Sequence, residues 1–394
     1  MQARLNPYSP GAGVRPVELA GREAEIEAFD VIRHRALAGR SAQSIVLYGL
    51  RGVGKTVLLN EMADRADAEG WLTARIEAHL SGERMPFRRQ IAQSLNTALR
   101  HAQGRSPKSG RLRAALATFK AFSLTASPDG GLTVGLEVEP QRGRGDTGSL
   151  PADLTDLAID LADAAADLDA GVTVFIDEMQ HLALDELAAV CQACHEASQR
   201  RSRFFVVGAG LPNLPGLLSE AKSYAERLFT YVRVDRLEPR AARAALTLPA
   251  LEEGVEWVEA AADVALAASG GYPYFIQQYG QTTWNAAVSS PITVHDAQEG
   301  IRAGRDLLDH GFFRARWERA TRSEREYLAA MAVDGHGPSS TGEVASRLGR
   351  QITALGPTRA KLIAKGLVFS PEHGQIGFSV PGMADFIARE LERS

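Results

Sequence analysis

The segment from Gly49 to Thr56, Gly-Leu-Arg-Gly-Val-Gly-Lys-Thr, is the part of this sequence with the clearest chemistry. It fits the pattern G-x-x-x-x-G-K-[ST], in which glycines let backbone N–H groups surround phosphate oxygens. The apolar run 44–48 precedes it, and a helix-favouring segment begins at Val57. A strand, a glycine-rich loop and a helix N-terminus in this order form a phosphate site. The sequence therefore predicts that the chain binds ATP.

Within this loop, two side chains have distinct expected roles. Lys55 is expected to reach the β- and γ-phosphates with its positive charge, and Thr56 to give Mg²⁺ a hydroxyl ligand. The residues expected to contact the nucleotide in this segment are Gly49, Gly52, Val53, Gly54, Lys55, Thr56 and Val57.

A second apolar run, residues 172–176, ends in two acids, Asp177 and Glu178. A nucleotide held by the loop needs a carboxylate at the end of a neighbouring parallel strand. Asp177 is expected to hold the Mg²⁺ shell, and Glu178 to orient or deprotonate the attacking water. Glu178 favours hydrolysis, although a slow switch also carries this residue.

Short apolar runs that alternate with helical segments must position these residues. The runs are 44–48, 71–78, 172–176, 204–207 and 231–234. Such alternation implies a mostly parallel sheet with helices around it.

Between residues 104 and 150 the composition shifts to Gly, Ser, Pro and Arg. Phe122–Ala126 and Leu132–Val138 flank Asp129-Gly-Gly, which predicts a β-hairpin in an insertion that decorates the core. The next helix carries an acid stripe, which we expect to be a solvated face rather than a metal site. Its members are Asp153, Asp156, Asp160, Asp163 and Asp167.

Charge is distributed unevenly along the 394 residues. The net charge is −4, which excludes a wholly basic nucleic-acid coat. Residues 81–120 nevertheless contain nine Lys or Arg and one acid, and residues 151–190 contain ten acids and no Lys or Arg. This asymmetry suggests either separate functional surfaces or solvated helix faces.

The two cysteines, Cys191 and Cys194, precede His195 in the spacing of a c-type haem site. The first residues contain no apolar core of a signal peptide, and residues 185–200 favour a helix. We therefore expect free buried thiols in a reducing cytoplasm instead of haem. No apolar stretch approaches the roughly 18 residues that span a bilayer, so we expect a soluble cytoplasmic protein without membrane contact.

Five segments together resemble one family, the AAA+/STAND-class P-loop ATPases related to origin-recognition initiators and archaeal-type ATPases. The segments are 19–23, 49–56, 177–182, 206–212 and 270–275. The resemblance implies an AAA+-like core and a helical lid that encloses ATP and Mg²⁺. It also implies that Gly21 and Arg22 flank the adenine, although a plain helix N-terminus is the alternative reading. Tyr272 and Pro273 are expected to approach the nucleotide from the lid.

Two features depart from motor-like members of this family. The Gly271-Tyr-Pro turn contains no sensor arginine, which favours a switch-like lid. The strand ending at Val207 is followed by Gly-Ala-Gly, so Asn213 is either a polar sensor or a loop cap. Arg227 is either an arginine finger that reaches a neighbouring subunit of a self-oligomer or a surface residue.

The last 70 or so residues predict a further unit. Helices at 323–330, 341–348 and 356–365 precede two short strands, an order typical of a winged helix, and Pro357 is expected in the first turn of the third helix. Basic residues between 347 and 365 predict contact with double-stranded DNA, and docking of a protein partner is the alternative. These basic residues are Arg347, Arg350, Arg359, Lys361 and Lys365.

The chain is therefore expected to contain four parts. They are an arm (1–18), a P-loop ATPase core (19–237) with an insertion at about 104–150, a helical lid (238–319) and a winged-helix domain (320–394). The predicted function is an ATP-hydrolysing switch whose nucleotide state repositions the winged helix on DNA. The alternative is a STAND-type signalling ATPase that holds nucleotide, ATP or ADP, and recruits a protein.

Overall fold

A sheet of five parallel strands lies at the centre of residues 44–233. Its strands are β1 (Ser44–Tyr48), β2 (Leu72–Glu77), β3 (Val172–Asp177), β4 (Phe204–Gly210) and β5 (Phe229–Arg233). They lie in the order β2-β3-β4-β1-β5, and each neighbouring pair is parallel. The predicted α/β fold is confirmed. The computed structural model describes residues 1–79, 85–105, 109–126 and 138–393.

Helices cover both faces of this sheet. They are α1 (Glu23–Leu37), α2 (Lys55–Ala68), α3 (Phe87–Arg105), α4 (Gly110–Ala126), α5 (Leu150–Ala166), α6 (Leu184–Gln199) and α7 (Leu214–Ala221). Because successive strand residues point to opposite faces, Leu47 packs with Phe29 and Leu58 of α1 and α2, whereas Val46 joins the cluster formed with α3 to α7. Burial on both faces explains why the inner strands β1, β3 and β4 are mostly apolar, whereas the edge strands β2 and β5 contain exposed polar residues.

The insertion is part of the core, so the expectation that it only decorates the core is wrong. Phe119 and Phe122 of α4 are fully buried in the same cluster as α3, α5 and α6. The strand predicted at 122–126 is wrong too, since α4 continues to Ala126. Apolar residues recur at helical spacing up to Phe122. The rest of the predicted hairpin, residues 127–137, lies outside the described residues.

Four of the five acids in the stripe of α5 are paired with arginines, so the expected solvated face is wrong for these four, whereas Asp163 is exposed. Asp153 is fully buried and accepts a bond of 2.5 Å from Arg88. Burial alone would raise the pKa of Asp153, but hydrogen bonds from Thr147 and Arg88 hold it below its usual value. Arg144 bonds Asp160 at 2.6 Å. Arg88 of the basic segment 81–120 and Arg144 therefore neutralise part of the charge of the acidic segment 151–190.

Helices and a small sheet form the second half of the chain. The helices are α8 (Pro239–Glu252), α9 (Glu259–Ser269), α10 (Pro273–Ala286), α11 (Val294–Leu307), α12 (Arg314–Glu318), α13 (Arg322–Ala332), α14 (Thr341–Arg347), α15 (Ile352–Ala364) and α16 (Met383–Arg393). The strands β6 (Ser339–Ser340), β7 (Val368–Phe369) and β8 (Gln375–Phe378) form an antiparallel sheet in the order β6-β8-β7. One turn of π-helix, Leu308–Phe313, joins α11 to α12.

We call α8 to α11 the lid and residues 314–393 the C-terminal unit. One cluster of buried side chains contains Trp284 of the lid together with Tyr327 and Phe386 of the C-terminal unit. Within that unit, α15 begins at Ile352 instead of Gly356. Pro357 therefore lies inside the helix and not in its first turn, which corrects the prediction. In the described part of the chain, no helix is long and apolar enough to cross a membrane.

Candidate nucleotide-binding site

The glycine-rich loop joins the end of β1 to the start of α2. Gly52 and Gly54 have φ values of 83° and 95°, a left-handed conformation that favours glycine. Lys55 is buried, and its Nζ donates to the carbonyls of Gly49 and Leu50 at 2.9 and 2.7 Å. Burial lowers the pKa of Lys55 to about 8 although Glu178 and Asp177 oppose the shift. A buried ammonium with a lowered pKa favours an anionic ligand.

The two residues predicted to hold Mg²⁺ lie together. The Thr56 hydroxyl donates to Asp177 Oδ2 at 2.6 Å, although the residues are 121 positions apart. Burial raises the pKa of Asp177, which a divalent cation would counteract. A hydroxyl and a carboxylate side by side match the hard oxygen ligands of Mg²⁺, which keeps further positions for phosphate and water.

Glu178 is held by two neighbours. Both its carboxylate oxygens accept from the guanidinium of Arg51, at 2.8 and 2.9 Å, and Gln180 Nε2 donates to Oε2 at 2.5 Å. Burial would raise the pKa of Glu178, but Arg51 and Gln180 hold it below its usual value. Its φ of 49° is unusual for a non-glycine residue. In this arrangement the carboxylate is ionised and has few lone pairs left for a water molecule.

Gln180 connects Glu178 to the end of the adjacent strand. Its Oε1 accepts from the Leu211 N–H at 3.1 Å, one residue after β4. A Cβ at Gly210 would come within 2.5 Å of that oxygen, so only glycine leaves room for it. Asn213 stands at the start of α7, its side chain caps no helix N–H, and it does not line the pocket. The sensor role of Asn213 stays a prediction.

The lid reaches the loop through the start of α10. The Tyr274 N–H donates to the Gly52 carbonyl at 3.2 Å. Pro273 and Tyr274 line the pocket, whereas Tyr272 packs edge-on against Phe275 and is not among the lining residues. The lid therefore lines the pocket with the predicted Pro273, and with Tyr274 in place of the predicted Tyr272.

Arg22 and Gly21 connect the start of α1 to the rest of the site. Arg22 is buried and lines the pocket, and its Nη2 donates to the carbonyls of Val53 and Asp235 at 3.0 and 2.6 Å. Gly21 does not line the pocket, and a Cβ there would come within 2.5 Å of Ala241 in α8. Gly21 thus lies at a close contact between core and lid.

The C-terminal unit contributes an arginine that the motifs did not reveal. Arg316 of α12 lines the pocket, lies over the Phe312 ring at 4.0 Å, and donates to the Phe312 carbonyl. Burial, with Arg51 nearby, lowers the pKa of Arg316 to about 10. Phe312 in turn stacks on Tyr274 with ring centroids 5.0 Å apart. Only the 271–273 turn was considered for a lid arginine, and it contains none, so the sequence motifs did not reveal Arg316.

The pocket has a volume of about 540 Å³ and is lined by residues of the arm, the core, the lid and the segment that contains α12. Residues 9–14 of the arm line it together with the loop, the ends of β2 and β3, the lid and α12. Arg227 is exposed and does not line it. A role for Arg227 at a neighbouring subunit stays a prediction.

Comparison with known proteins agrees with this geometry. Residues 18–207 match the family described as AAA ATPase domain, and residues 310–387 match a domain of unknown function, DUF8462. No curated protein matches the sequence. The domain match, with the loop and acids it contains, defines the class: the chain is a P-loop ATPase whose residues 18–207 match the AAA ATPase domain.

Three solved structures resemble the chain to different degrees at low sequence identity. A Walker-type ATPase of Pyrococcus abyssi superposes with a TM-score of 0.62 at 15% identity, covering 95% of this chain and 97% of that one. The Orc1 protein of Aeropyrum pernix, solved in complex with DNA, has a TM-score of 0.47 at 16% identity, with coverages of 96% and 95%. The RuvB Holliday junction branch migration motor of Thermotoga maritima has a TM-score of 0.45 at 16% identity, with coverages of 93% and 96%.

Proposed function

We propose that this ATPase is a molecular switch in which Mg·ATP, bound between core and lid, sets the position of the C-terminal unit. One observation carries the proposal: Arg51 contacts both Glu178 and the C-terminal unit. Its guanidinium holds Glu178, while its backbone N–H donates to the Ser379 carbonyl at 2.9 Å. A movement of Arg51 at the phosphates would therefore act directly on its hydrogen bond to the C-terminal unit.

The chain's residues suggest an order of events. Lys55 and Arg316 offer positive charge to the phosphates, and Thr56 and Asp177 would hold Mg²⁺. Mg²⁺ would neutralise charge on the phosphates.

A γ-phosphate competes with Glu178 for the guanidinium of Arg51, because both are anions. Once freed, Glu178 can accept a proton from the attacking water. Movement of Arg51 also strains its backbone bond to Ser379, which transmits the nucleotide state to the C-terminal unit.

The C-terminal unit has the helix and strand order of a winged helix, and we propose that its partner is a protein. Several basic side chains that predicted DNA contact form hydrogen bonds within the protein instead. Arg347 bonds Asp334 at 2.6 Å, Arg359 bonds Ser370 at 2.7 Å, and Lys365 bonds Glu324 at 2.6 Å. Specific DNA binding commonly uses several phosphate contacts, and three of the five predicted cations are already bonded within the protein, two of them to carboxylates. Ile352, at the start of α15, is 55% exposed, which suits an apolar partner.

A distance measurement tests the switch. Cysteines introduced at Ser223 in the core and Ser346 in α14, both exposed, would carry spin labels, while the native Cys191 and Cys194 are buried. In the background of Glu178→Gln, ATP is expected to shift the label distance relative to ADP. The shift should be absent when Lys55→Ala is added. An identical distance distribution with ATP and ADP would refute the switch.

Duplex binding tests the partner class. At low salt the full chain should not retard duplex DNA with either nucleotide. Retardation that weakens with salt and is lost in the Arg350→Ala, Lys361→Ala double variant would instead support DNA as the partner.

A further inference from the structure

Residues 6–15 run from the lid to the core along one side of the pocket. Their lid end is fixed on α10. Asn6 Nδ2 donates to the carbonyl of Gln281 and to Asn285 Oδ1, both at 2.9 Å. The Ser9 N–H donates to Gln277 Oε1 at 3.1 Å. The first part of this segment is therefore attached to the lid along one helix.

Tyr8 anchors the same end inside the lid. Its side chain is buried, and its hydroxyl donates to the Leu246 carbonyl of α8 and accepts from Trp257 Nε1 at 3.0 Å. The ring lies against Gly280, where a Cβ would come within 2.5 Å of it. Any larger residue at position 280 would push the ring out, so the lid contains a fitted seat for Tyr8.

The other end is attached to α2 of the core. A Cβ at Gly13 would come within 2.9 Å of the Thr56 methyl group, and the Gly13 carbonyl accepts from Asn60 Nδ2 at 3.4 Å. Arg15 pairs with Glu61 at 2.9 Å. Gly13 has a φ of +70°, so the chain crosses α2 in a conformation that favours glycine.

Between these two attachments, residues 10–12 line the pocket that contains Lys55 and Thr56. We propose that residues 6–15 form a strap that joins lid to core around bound nucleotide and controls its release. The strap must detach at one end before nucleotide leaves. This inference rests on the proposed function, because it requires nucleotide in this pocket.

The rate of nucleotide release from the full chain tests the strap. A fluorescent ADP, mant-ADP, is bound and then displaced by excess ADP in a stopped-flow instrument. Asn6→Ala weakens the attachment of the lid end, and Gly13→Ala pushes the core end away from α2. Each is expected to speed release by about tenfold, the effect of losing one or two net hydrogen bonds from the closed state. In the double variant release should be no faster than in the faster single variant, because one open end suffices.

Matched controls separate the strap from general damage. Gly39→Ala places an alanine at a φ of +68°, the same backbone strain as at Gly13, but its Cβ would have no neighbour within 4 Å. Arg4→Ala removes an exposed side chain that bonds only Gln2 in the described chain. Both should release mant-ADP at the original rate. Tyr8→Phe, which removes only a hydroxyl, replaces Asn6→Ala if that variant fails to unfold cooperatively. Repeating the measurement without Mg²⁺ removes any contribution from the Thr56 hydroxyl.

Two results would overturn the strap. Release rates equal to the original in both single variants would show that the segment does not control release. Accelerations that multiply in the double variant would show two local effects and no strap. If the unaltered chain failed to bind mant-ADP, or bound it equally well after Lys55→Ala, the proposed function would fail instead.

Discussion

Removal of the Arg51 side chain should raise the basal rate of ATP hydrolysis. Arg51 and Glu178 are joined by two charge-assisted hydrogen bonds, and their side chains are 25% and 21% exposed. As long as that pair persists, Glu178 is a weak base towards water, because few of its lone pairs are free. Arg51→Ala would release the carboxylate without removing the proposed base.

The burial of this pair sets the size of the effect. Fully exposed ion pairs contribute about 0–1 kcal/mol and breaking a buried one costs about 3–5 kcal/mol. A pair that is about one quarter exposed should lie between these limits, at about 1–3 kcal/mol. If that energy must be spent before each turnover, its removal raises kcat by about 5- to 150-fold. KM should rise as well, because Arg51 also faces the phosphates.

Steady-state release of phosphate, measured over a range of ATP concentrations, separates kcat from KM. Arg243→Ala is the control, since it breaks an exposed arginine pair with Asp263 in the lid and should leave kcat unchanged. Glu178→Gln should abolish turnover alone and in combination with Arg51→Ala. A kcat that falls in Arg51→Ala would refute the reasoning and make Arg51 a phosphate-binding residue that hydrolysis requires.

Three further outcomes follow from buried groups. Because Lys55 loses its charge as the pH rises through about 8, ADP affinity measured by titration calorimetry should be constant below pH 8 and fall above it; constant affinity up to pH 10 would contradict this. Asp153→Ala leaves Arg88 without its buried partner and should lower the free energy of unfolding in urea by about 3 kcal/mol, whereas Asp163→Ala, at an exposed position, should change it by less than about 0.5 kcal/mol. Burial raises the pKa of Cys191 and Cys194 to about 12, so thiol reagents at pH 8 should react only when the chain unfolds; rapid labelling of the native protein would exclude this burial.

The parts of the site that the sequence predicted are those encoded by contiguous residues. The loop from Gly49 to Thr56 and the strand ending in Asp177 carry their own chemistry and their own secondary structure. Contrary to the expectation, Asp177 does not end a strand adjacent to β1, because β4 lies between β1 and β3. Thr56 and Asp177 still meet because the carboxyl ends of all these parallel strands lie at the same edge of the sheet. The wrong strand at 122–126, where α4 continues, also has a local cause. The Asp-Gly-Gly turn favoured a hairpin there, although the apolar residues up to Phe122 recur at helical spacing.

The remaining parts of the site depend on contacts between distant segments. Arg316 reaches the pocket only because lid and C-terminal unit fold back over the core, and its neighbours in sequence form no motif. Similarly, the pairing of Arg88 with Asp153 joins two helices whose charges look unrelated along the chain. Composition reports such charges but not their separation in space, so the sequence suggested separate surfaces or solvated helix faces and did not predict this pairing.

The shared core of lid and C-terminal unit has a mechanical consequence. Phe313 stacks on Phe386 of α16 with ring centroids 5.5 Å apart and also contacts Phe275 of α10, so aromatic rings run without a break from one part to the other. Two bodies that share close-packed side chains cannot slide past each other freely. They would turn together about the core like a single lever arm. Under the proposed switch, a small tilt at the phosphates would become a larger displacement at α14 and α15, at the far end of this rigid arm.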